Sequence, residues 1–342
     1  MKKFICKSLL FCFTMLILLG GITAFVLFGL PQQFGMSYQH ALSTQYNSMR
    51  RIPSRKLVVM GDSAVPFSLN VPLMEKRIKM PVQTLGIHSG TGLEYILSLS
   101  KSSIHKGDIM VLELEPSNGD SFTPSIILTA CENNFDMYKA FSAKDWEKAV
   151  EYYPSFLIKK VKYYFRIKDQ QSPSYSGKSF DSDGNYSYFR GKCVLPRHLS
   201  KTSQNTEFNQ RDYNTEFISY LNDYNRFCKG KGATFLITFP PFLDESLVSS
   251  KSDISNLVNY LSHELNVPII TKISDRELPR KYIYNNISHC NTAGADKVTV
   301  DLSNEIEKYL NKKPANVPPA KIKRVPVTVK LIRTSIDKKM RV

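Results

Sequence analysis

Three short polar segments of the sequence contain residue types suited to ester chemistry. They are residues 61–63 (GDS), 88–92 (HSGTG) and 115–118 (EPSN), and each follows a short apolar run. A serine hydroxyl in a turn after a strand is exposed and can act as a nucleophile. Glycine in such a turn lets a backbone N–H approach a developing negative charge, and an amide side chain adds another donor. The pattern indicates acyl chemistry centred on Ser63.

A serine hydroxyl needs a base to take its proton. Among the six histidines, His289 has the most suggestive surroundings, since it lies in a polar loop just before the last long helical pattern. His88 is either a substrate contact or a structural polar residue in a glycine-rich turn. Structural alternatives exist for the main pair as well: Ser63 as a helix N-cap and His289 as a surface loop residue.

Short apolar, β-rich runs alternate with amphipathic helical patterns along the chain. Strands alternating with helices imply a parallel sheet covered on both faces, with ligands at the carboxyl ends of the strands. We therefore predict an α/β fold, a three-layer doubly wound (flavodoxin-like) parallel sheet of about five strands. The predicted strands are 57–60, 82–87, 109–116, 233–241 and 267–271, and the main predicted helices are 93–104, 213–230, 252–265 and 291–310.

The ordered set of GDS near the start, Gly90 in the second turn and His289-x-Asn291-x-x-Gly294 near the end resembles the SGNH (GDSL-type) hydrolase superfamily. The segments LGIHSGTGLEYIL and KGDIMVLELEP are similar to its membrane-anchored bacterial branch. That branch includes relatives of the teichoic-acid D-alanylation protein and is associated with acyl groups on surface polymers. The resemblance covers roughly residues 56–310.

The resemblance implies a role for each matching residue. Ser63 would be the nucleophile and His289 the general base, with the Ser63 N–H and Gly90 forming the oxyanion hole. The family's third block supplies an Asn in a Gly-x-Asn-Asp turn, whereas residues 115–118 here are EPSN, so Asn118 is a substitute donor in a shifted register. The sequence departs from the family pattern at the acid, because Asn286 stands three residues before His289. In a serine protease, Asn in place of the acid costs about 10⁴ in turnover. The alternatives are a Ser–His dyad, an acid from elsewhere such as Asp275 or Glu115, or weak or absent catalysis.

The N-terminal residues predict a membrane anchor. Residues 8–30 form an uncharged apolar stretch of 23 residues, and a helix needs roughly 20 to cross a bilayer. Lys2, Lys3 and Lys7 precede it, which favours a cytoplasmic N-terminus and an extracytoplasmic body. The predicted organisation is a cytoplasmic N-terminus (1–7), a transmembrane anchor (8–30), a juxtamembrane stalk (31–55), an SGNH-like domain (56–311) with a polar insertion at about 165–210, and a basic, disordered tail (312–342).

The net charge of +16 lies at the two ends of the chain. Residues 57–311 contain 29 basic and 29 acidic residues, so the body is neutral. Basic ends suit a chain near an anionic membrane or cell wall. The basic runs contain no interleaved aromatics or binding motif, so nucleic acid is not an expected partner.

Together these features predict a membrane-tethered extracytoplasmic serine esterase or acyltransferase of the cell envelope. Its substrate would be an acyl ester of a surface glycan or teichoic-acid-like polymer, and a membrane acyltransferase is an expected partner. No cofactor or metal is expected, because no such signature and no CxxC spacing is present. The alternative is a non-catalytic accessory protein of an envelope acyl-transfer system, which binds polymer or partner without hydrolysis.

Overall fold

The computed structural model describes residues 1–53, 55–116, 122–166, 174–197 and 205–311. It is a mixed α/β protein with a parallel sheet of four strands in the order β2-β1-β3-β4. The strands are β1 (Leu57–Met60), β2 (Val82–Leu85), β3 (Ile109–Glu113) and β4 (Thr234–Thr238). All three neighbouring pairs are parallel, so the carboxyl ends of the strands share one edge of the sheet.

Helices precede, connect and follow the four strands. The α-helices are α1 (Lys2–Ala24), α2 (Ala41–Arg51), α3 (Ala64–Ser68), α4 (Val71–Ile78), α5 (Leu93–Ser100), α6 (Pro124–Ala130), α7 (Ala143–Tyr164), α8 (Thr215–Gly230), α9 (Lys251–Glu264) and α10 (Thr292–Asn311). Alternate residues of β1 enter different cores, because successive strand side chains point to opposite faces. Val58 and Met60 pack with residues of α2, α5 and α8. Leu57 and Val59 pack with residues of α4 and α10.

The sheet has four strands rather than the predicted five. In the predicted fifth strand, residues 267–271, only Ile269 pairs with Ile237, through a single parallel bridge. The Ile237 N–H donates to Pro268 O at 2.9 Å, and the Ile270 N–H donates to Ile237 O at 2.8 Å. Pro268 has no N–H to extend this ladder. A separate two-stranded sheet pairs β5 (Phe242–Leu243) with β6 (Glu277–Leu278).

The N-terminal segment is one long apolar helix. Helix α1 continues as a π-helical turn, Phe25–Gly29, and the combined span from Lys2 to Gly29 is 28 residues long. Its most apolar stretch of 18 residues has a mean hydropathy of 2.5. Among the described residues it is the one helix long and apolar enough to cross a membrane.

The segment predicted as a stalk instead forms part of the folded body. Helix α2 buries Leu42, Tyr46 and Met49 against the sheet. These residues recur at the i, i+4, i+7 spacing of an amphipathic helix, a pattern that the stalk interpretation overlooked. The Gln45 side chain accepts a hydrogen bond from Gly86 N–H at 3.0 Å, which connects α2 to the turn after β2.

The longest described part of the predicted polar insertion, residues 174–197, also packs on the body. Tyr186 and Arg190 are buried, and Ser176 forms an antiparallel bridge with Ser37 of the juxtamembrane segment. Residues 167–173 and 198–204 of the predicted insertion lie outside the described residues, as does the predicted basic tail.

Replacing a buried methionine of α2 tests whether this helix is part of the fold. Met49 is fully buried, so Met49→Ala should lower the free energy of unfolding by about 2–5 kcal/mol. Met36 is 56% exposed, and Met36→Ala should change it by less than about 0.5 kcal/mol. Urea denaturation of the detergent-solubilised chain measures both values. Equal, small effects would restore the stalk interpretation.

Candidate functional site

Ser63 lies in the turn after β1, immediately before α3. It occupies the N-cap position of α3, but its side chain makes no capping hydrogen bond. Instead, its Oγ lies 2.9 Å from Nε2 of His289. The hydrogen bond to the first N–H of α3 comes from the preceding residue, since Asp62 Oδ1 accepts from Ala64 N–H at 2.6 Å. The Ser63 hydroxyl is therefore directed at an imidazole rather than at the helix end.

His289 is held in place by backbone bonds within its loop and by the start of α10. The Tyr284 N–H donates to His289 O at 2.7 Å, and the His289 N–H donates to Asn286 O at 3.1 Å. The Asn291 side chain accepts from Gly294 N–H at 2.9 Å, as a helix N-cap does. A Cβ at Gly294 would overlap the carbonyl oxygen of Tyr282, so only glycine allows the helix to approach this loop.

The amide that contacts the His289 ring belongs to Asn285 and not to Asn286. Asn285 Oδ1 lies 2.9 Å from His289 Nδ1. Asn286 Oδ1 accepts from Ser288 N–H at 3.2 Å instead. The prediction of Asn286 is thus one position from the observed ring partner, because the loop turns the Asn286 side chain toward its own backbone.

Tyr175 fixes the orientation of the Asn285 amide. Asn285 Nδ2 donates to the Tyr175 hydroxyl at 3.1 Å, which leaves Oδ1 facing the ring. An oxygen acceptor there places the imidazole proton on Nδ1 and leaves the lone pair of Nε2 for Ser63, a tautomer assigned from the hydrogen-bond network. In serine proteases, Asn in place of the acid lowers turnover because it favours the wrong tautomer of the catalytic histidine. Here the network selects the tautomer that a base requires.

The His289 ring is buried against an aromatic side chain. Phe67 of α3 stacks on it, with ring centroids 3.9 Å apart and planes 7° from parallel. Arg190 packs over Phe67 and donates from Nε to Cys290 O at 2.8 Å. Burial lowers the pKa of His289 to about 3, and the charges of Arg190 and His88 contribute to the shift. The imidazole is consequently neutral at pH 7.

The predicted oxyanion-hole residues differ in their surroundings. The Gly90 N–H donates to His88 Nδ1 at 2.9 Å, so this bond must open before the amide can serve another acceptor. A Cβ at Gly90 would lie 2.6 Å from Ile126 Cδ1, so close packing leaves room for only a glycine at this position. Burial lowers the pKa of His88. Asn118 lies outside the described residues.

Among the described residues, the hydrogen-bond partners of the His289 ring are Ser63, Asn285 and Tyr175, so neither Asp275 nor Glu115 supplies the missing acid. Asp275 accepts from Lys272 N–H at 3.2 Å. Burial raises the pKa of Glu115, and nearby Asp62 and Glu113 raise it further. The described part of the chain thus presents a Ser–His pair oriented by an amide.

Cysteine and metal chemistry are not indicated by the described residues. The six cysteines are all free thiols. Burial raises the pKa of Cys290 to about 12, which keeps it a neutral thiol beside His289. No group of three or more His, Cys, Asp or Glu side chains suited to a metal ion occurs in the described ranges.

Sequence reasoning missed three side chains that build the site, namely Phe67, Tyr175 and Arg190. Tyr175 and Arg190 come from the polar insertion, more than 95 residues before His289 in the sequence. The available signal was the aromatic content of residues 175–189, which hold five Tyr and Phe side chains in 15 residues, since solvated loops are seldom rich in large aromatic side chains. Chemically, the assembled group can move a proton from the Ser63 hydroxyl to a neutral imidazole.

Similarity of this chain to known proteins is distant. No protein-family model matches the sequence, and no curated protein matches it. The solved structure of protein YxiM from Bacillus subtilis is similar over 75% of this chain, with a TM-score of 0.35 and 13% sequence identity. This chain spans 57% of the length of that one. A similarity this distant does not assign a function, so the functional assignment depends on the geometry of the site.

Proposed function

We propose that this protein is a membrane-tethered serine esterase or acyltransferase with an SGNH-type, doubly wound α/β domain. The observation that carries the proposal is the 2.9 Å contact between Ser63 Oγ and His289 Nε2, with Asn285 on the opposite ring nitrogen. A hydroxyl, a neutral imidazole and an orienting amide are the three parts of an activated nucleophile. Papain-like proteases use a similar set, Cys-His-Asn.

The proposed reaction has two acyl transfers. Ser63 Oγ attacks the carbonyl carbon of an ester while His289 Nε2 takes the hydroxyl proton. The tetrahedral intermediate collapses, its bond to the leaving alkoxide breaks, and the imidazolium returns the proton to that oxygen. Water or a polymer hydroxyl then gives its proton to His289 and attacks the acyl-enzyme, after which Ser63 Oγ leaves and recovers the proton.

The developing oxyanion needs donors close to Ser63. The Ser63 N–H is one proposed donor. The Gly90 N–H is the second, provided that the substrate oxygen replaces His88 Nδ1 as its acceptor. Because an internal bond already holds the Gly90 amide, it is oriented before substrate arrives. Asn118 stays a predicted third donor.

The proposed substrate is an acyl ester of a surface glycan or teichoic-acid-like polymer outside the cytoplasm. The apolar N-terminal helix supports a single-pass anchor, and the lysines at positions 2, 3 and 7 support a cytoplasmic N-terminus. A tether suits a large, immobile substrate. A membrane acyltransferase partner would supply the acyl group for the transfer reaction.

A non-catalytic accessory role is the second candidate. It is favoured by the ring partners of His289, none of which is a carboxylate among the described residues, and by the occupied Gly90 N–H. Such a protein would bind polymer or a membrane partner at the same sheet edge without forming an acyl-enzyme.

Replacing the nucleophile separates the two candidates. Ser63→Ala should reduce turnover of a p-nitrophenyl ester by at least about 10³-fold, since catalysis through an acyl-enzyme needs the hydroxyl. The matched control is Ser89→Ala, at an exposed serine in the 88–92 turn, and it should keep most of the activity. Fluorophosphonate should label the wild type at Ser63. Absence of labelling in a well-folded chain would favour the accessory role.

The two neighbouring asparagines should differ in their effect on the same reaction. Asn285→Ala should lower kcat by about 10²-fold, because the imidazole loses the acceptor that fixes its tautomer. Asn286→Ala should have an effect of less than about threefold, within the range of changes away from the reacting groups. Steady-state kinetics measures both. A larger loss for Asn286→Ala would contradict the assignment of the orienting amide.

The pH dependence should reflect the low pKa of His289. The base acts in its neutral form, so activity is present above the folded-state pKa of about 3 and is lost as the pH falls through it. The rate of fluorophosphonate labelling at Ser63 should thus change by less than about threefold between about pH 5 and pH 8. A roughly tenfold fall between about pH 7.5 and pH 5.5 would indicate an unshifted histidine and an exposed ring.

A further inference from the structure

A cavity lies where the N-terminal helix meets the body, remote in sequence from the Ser63 site. Its volume is about 420 Å³, within the range of ligand pockets. The side chains around it are mainly aromatic and aliphatic. They are Leu27, Leu128, Glu132, Asn133, Phe135, Tyr138, Trp146, Ala149, Val150, Tyr153, Phe156 and Lys160.

The charged groups in the wall of this cavity are already satisfied. Lys160 donates to Glu132 in a buried ion pair. Glu132 also accepts the N–H groups of Gln33 at 2.9 Å and Phe34 at 2.6 Å. This arrangement fixes the chain leaving α1 to the body, and it leaves an apolar surface for any ligand. A ligand for such a surface is a hydrocarbon chain rather than a polar molecule.

The position of the cavity relative to α1 indicates where that hydrocarbon comes from. A helix rises about 1.5 Å per residue, so Phe28 lies about 30 Å along the axis from Ser8, the first residue of the uncharged stretch. The hydrocarbon core of a bilayer is also about 30 Å thick. With the helix across the bilayer and Ser8 at one boundary of the hydrocarbon core, Leu27 and Phe28 fall at the other boundary, and Leu27 is part of the cavity wall.

The rim of the cavity carries apolar side chains that face outward. Phe28 is 67% exposed, Phe135 55%, Trp146 45% and Val150 67%. The rings of Phe28 and Phe135 are 5.5 Å apart, so the surface of α1 continues directly onto the body. A contiguous exposed apolar surface marks an interaction site, and Trp and Tyr favour the boundary between membrane and water.

We propose that this cavity binds an acyl chain of a bilayer lipid and seats the body on the membrane surface. The acyl chain of the lipid enters past Trp146 and Val150 and packs against Ala149 and Phe156. The inference rests on the membrane anchor proposed above and not on the chemistry of Ser63. The bound acyl chain gives the body a second membrane contact, so the Ser63 site keeps a fixed distance and orientation relative to the bilayer.

Trp146 is the sole tryptophan of the chain, so intrinsic fluorescence reports on the cavity directly. The full-length protein is reconstituted in phosphatidylcholine vesicles with or without bromine on the lipid acyl chains, and vesicle flotation confirms insertion. Brominated acyl chains should quench the emission of Trp146 by more than half. The control, Trp146→Phe combined with Val258→Trp, places the fluorophore at a partly exposed position on α9 and should show little quenching.

A cavity-filling variant distinguishes a bound chain from simple contact with the bilayer. Ala149 is buried in the wall, and Ala149→Leu should reduce the quenching of Trp146 at least twofold while the circular dichroism stays unchanged. Ala143→Leu, at an exposed position of the same helix, should leave it unaltered. Insertion without quenching, or quenching that Ala149→Leu does not reduce, would overturn the acyl-chain site alone. Failure to float would overturn the anchor and this site together.

Discussion

The buried, neutral state of the His289 ring is the constraint on which the candidate site depends. A buried imidazole must satisfy both ring nitrogens without a full charge, and here Ser63 and Asn285 do so. The stack with Phe67 excludes water from one face. Exclusion of water strengthens each of these hydrogen bonds and also makes protonation of the ring unfavourable. The proton that the ring would accept from Ser63 must therefore be transferred onward within the same catalytic cycle.

The rest of the structure positions this ring and its partners. Parallel strands place the turn after β1 and the turn after β2 at one edge. Helix α10 begins beside them, and its N-cap Asn291 holds the loop that carries His289. Phe67 comes from the short helix that follows Ser63, so the nucleophile and the stacking partner of its base move together. Backbone geometry thus positions both Ser63, in the turn after β1, and His289, in the loop before α10.

The sequence predicted the parts of this arrangement that follow from local pattern. Short β-rich runs before Ser63 and Gly90 located β1 and β2, and helical periodicity located α8, α9 and α10 within one or two residues. The choice between Asn285 and Asn286 could not be predicted, because it depends on the turn of the loop and on Tyr175, 110 residues away. The predicted fifth strand had the right composition, but strand pairing depends on a neighbour and not on composition.

The bridge between Ser37 and Ser176 joins the juxtamembrane segment to the segment that carries Tyr175. Tyr38 follows, stacks edge-on against Tyr175 and donates a hydrogen bond to Ile87 O. Tyr38 lies only eight positions after Leu30, a length of at most about 30 Å even when fully extended. With the anchor in the bilayer as proposed, the short connection therefore keeps Ser63 within a few tens of ångströms of the membrane surface. Ester groups farther out would have to be carried inward to react.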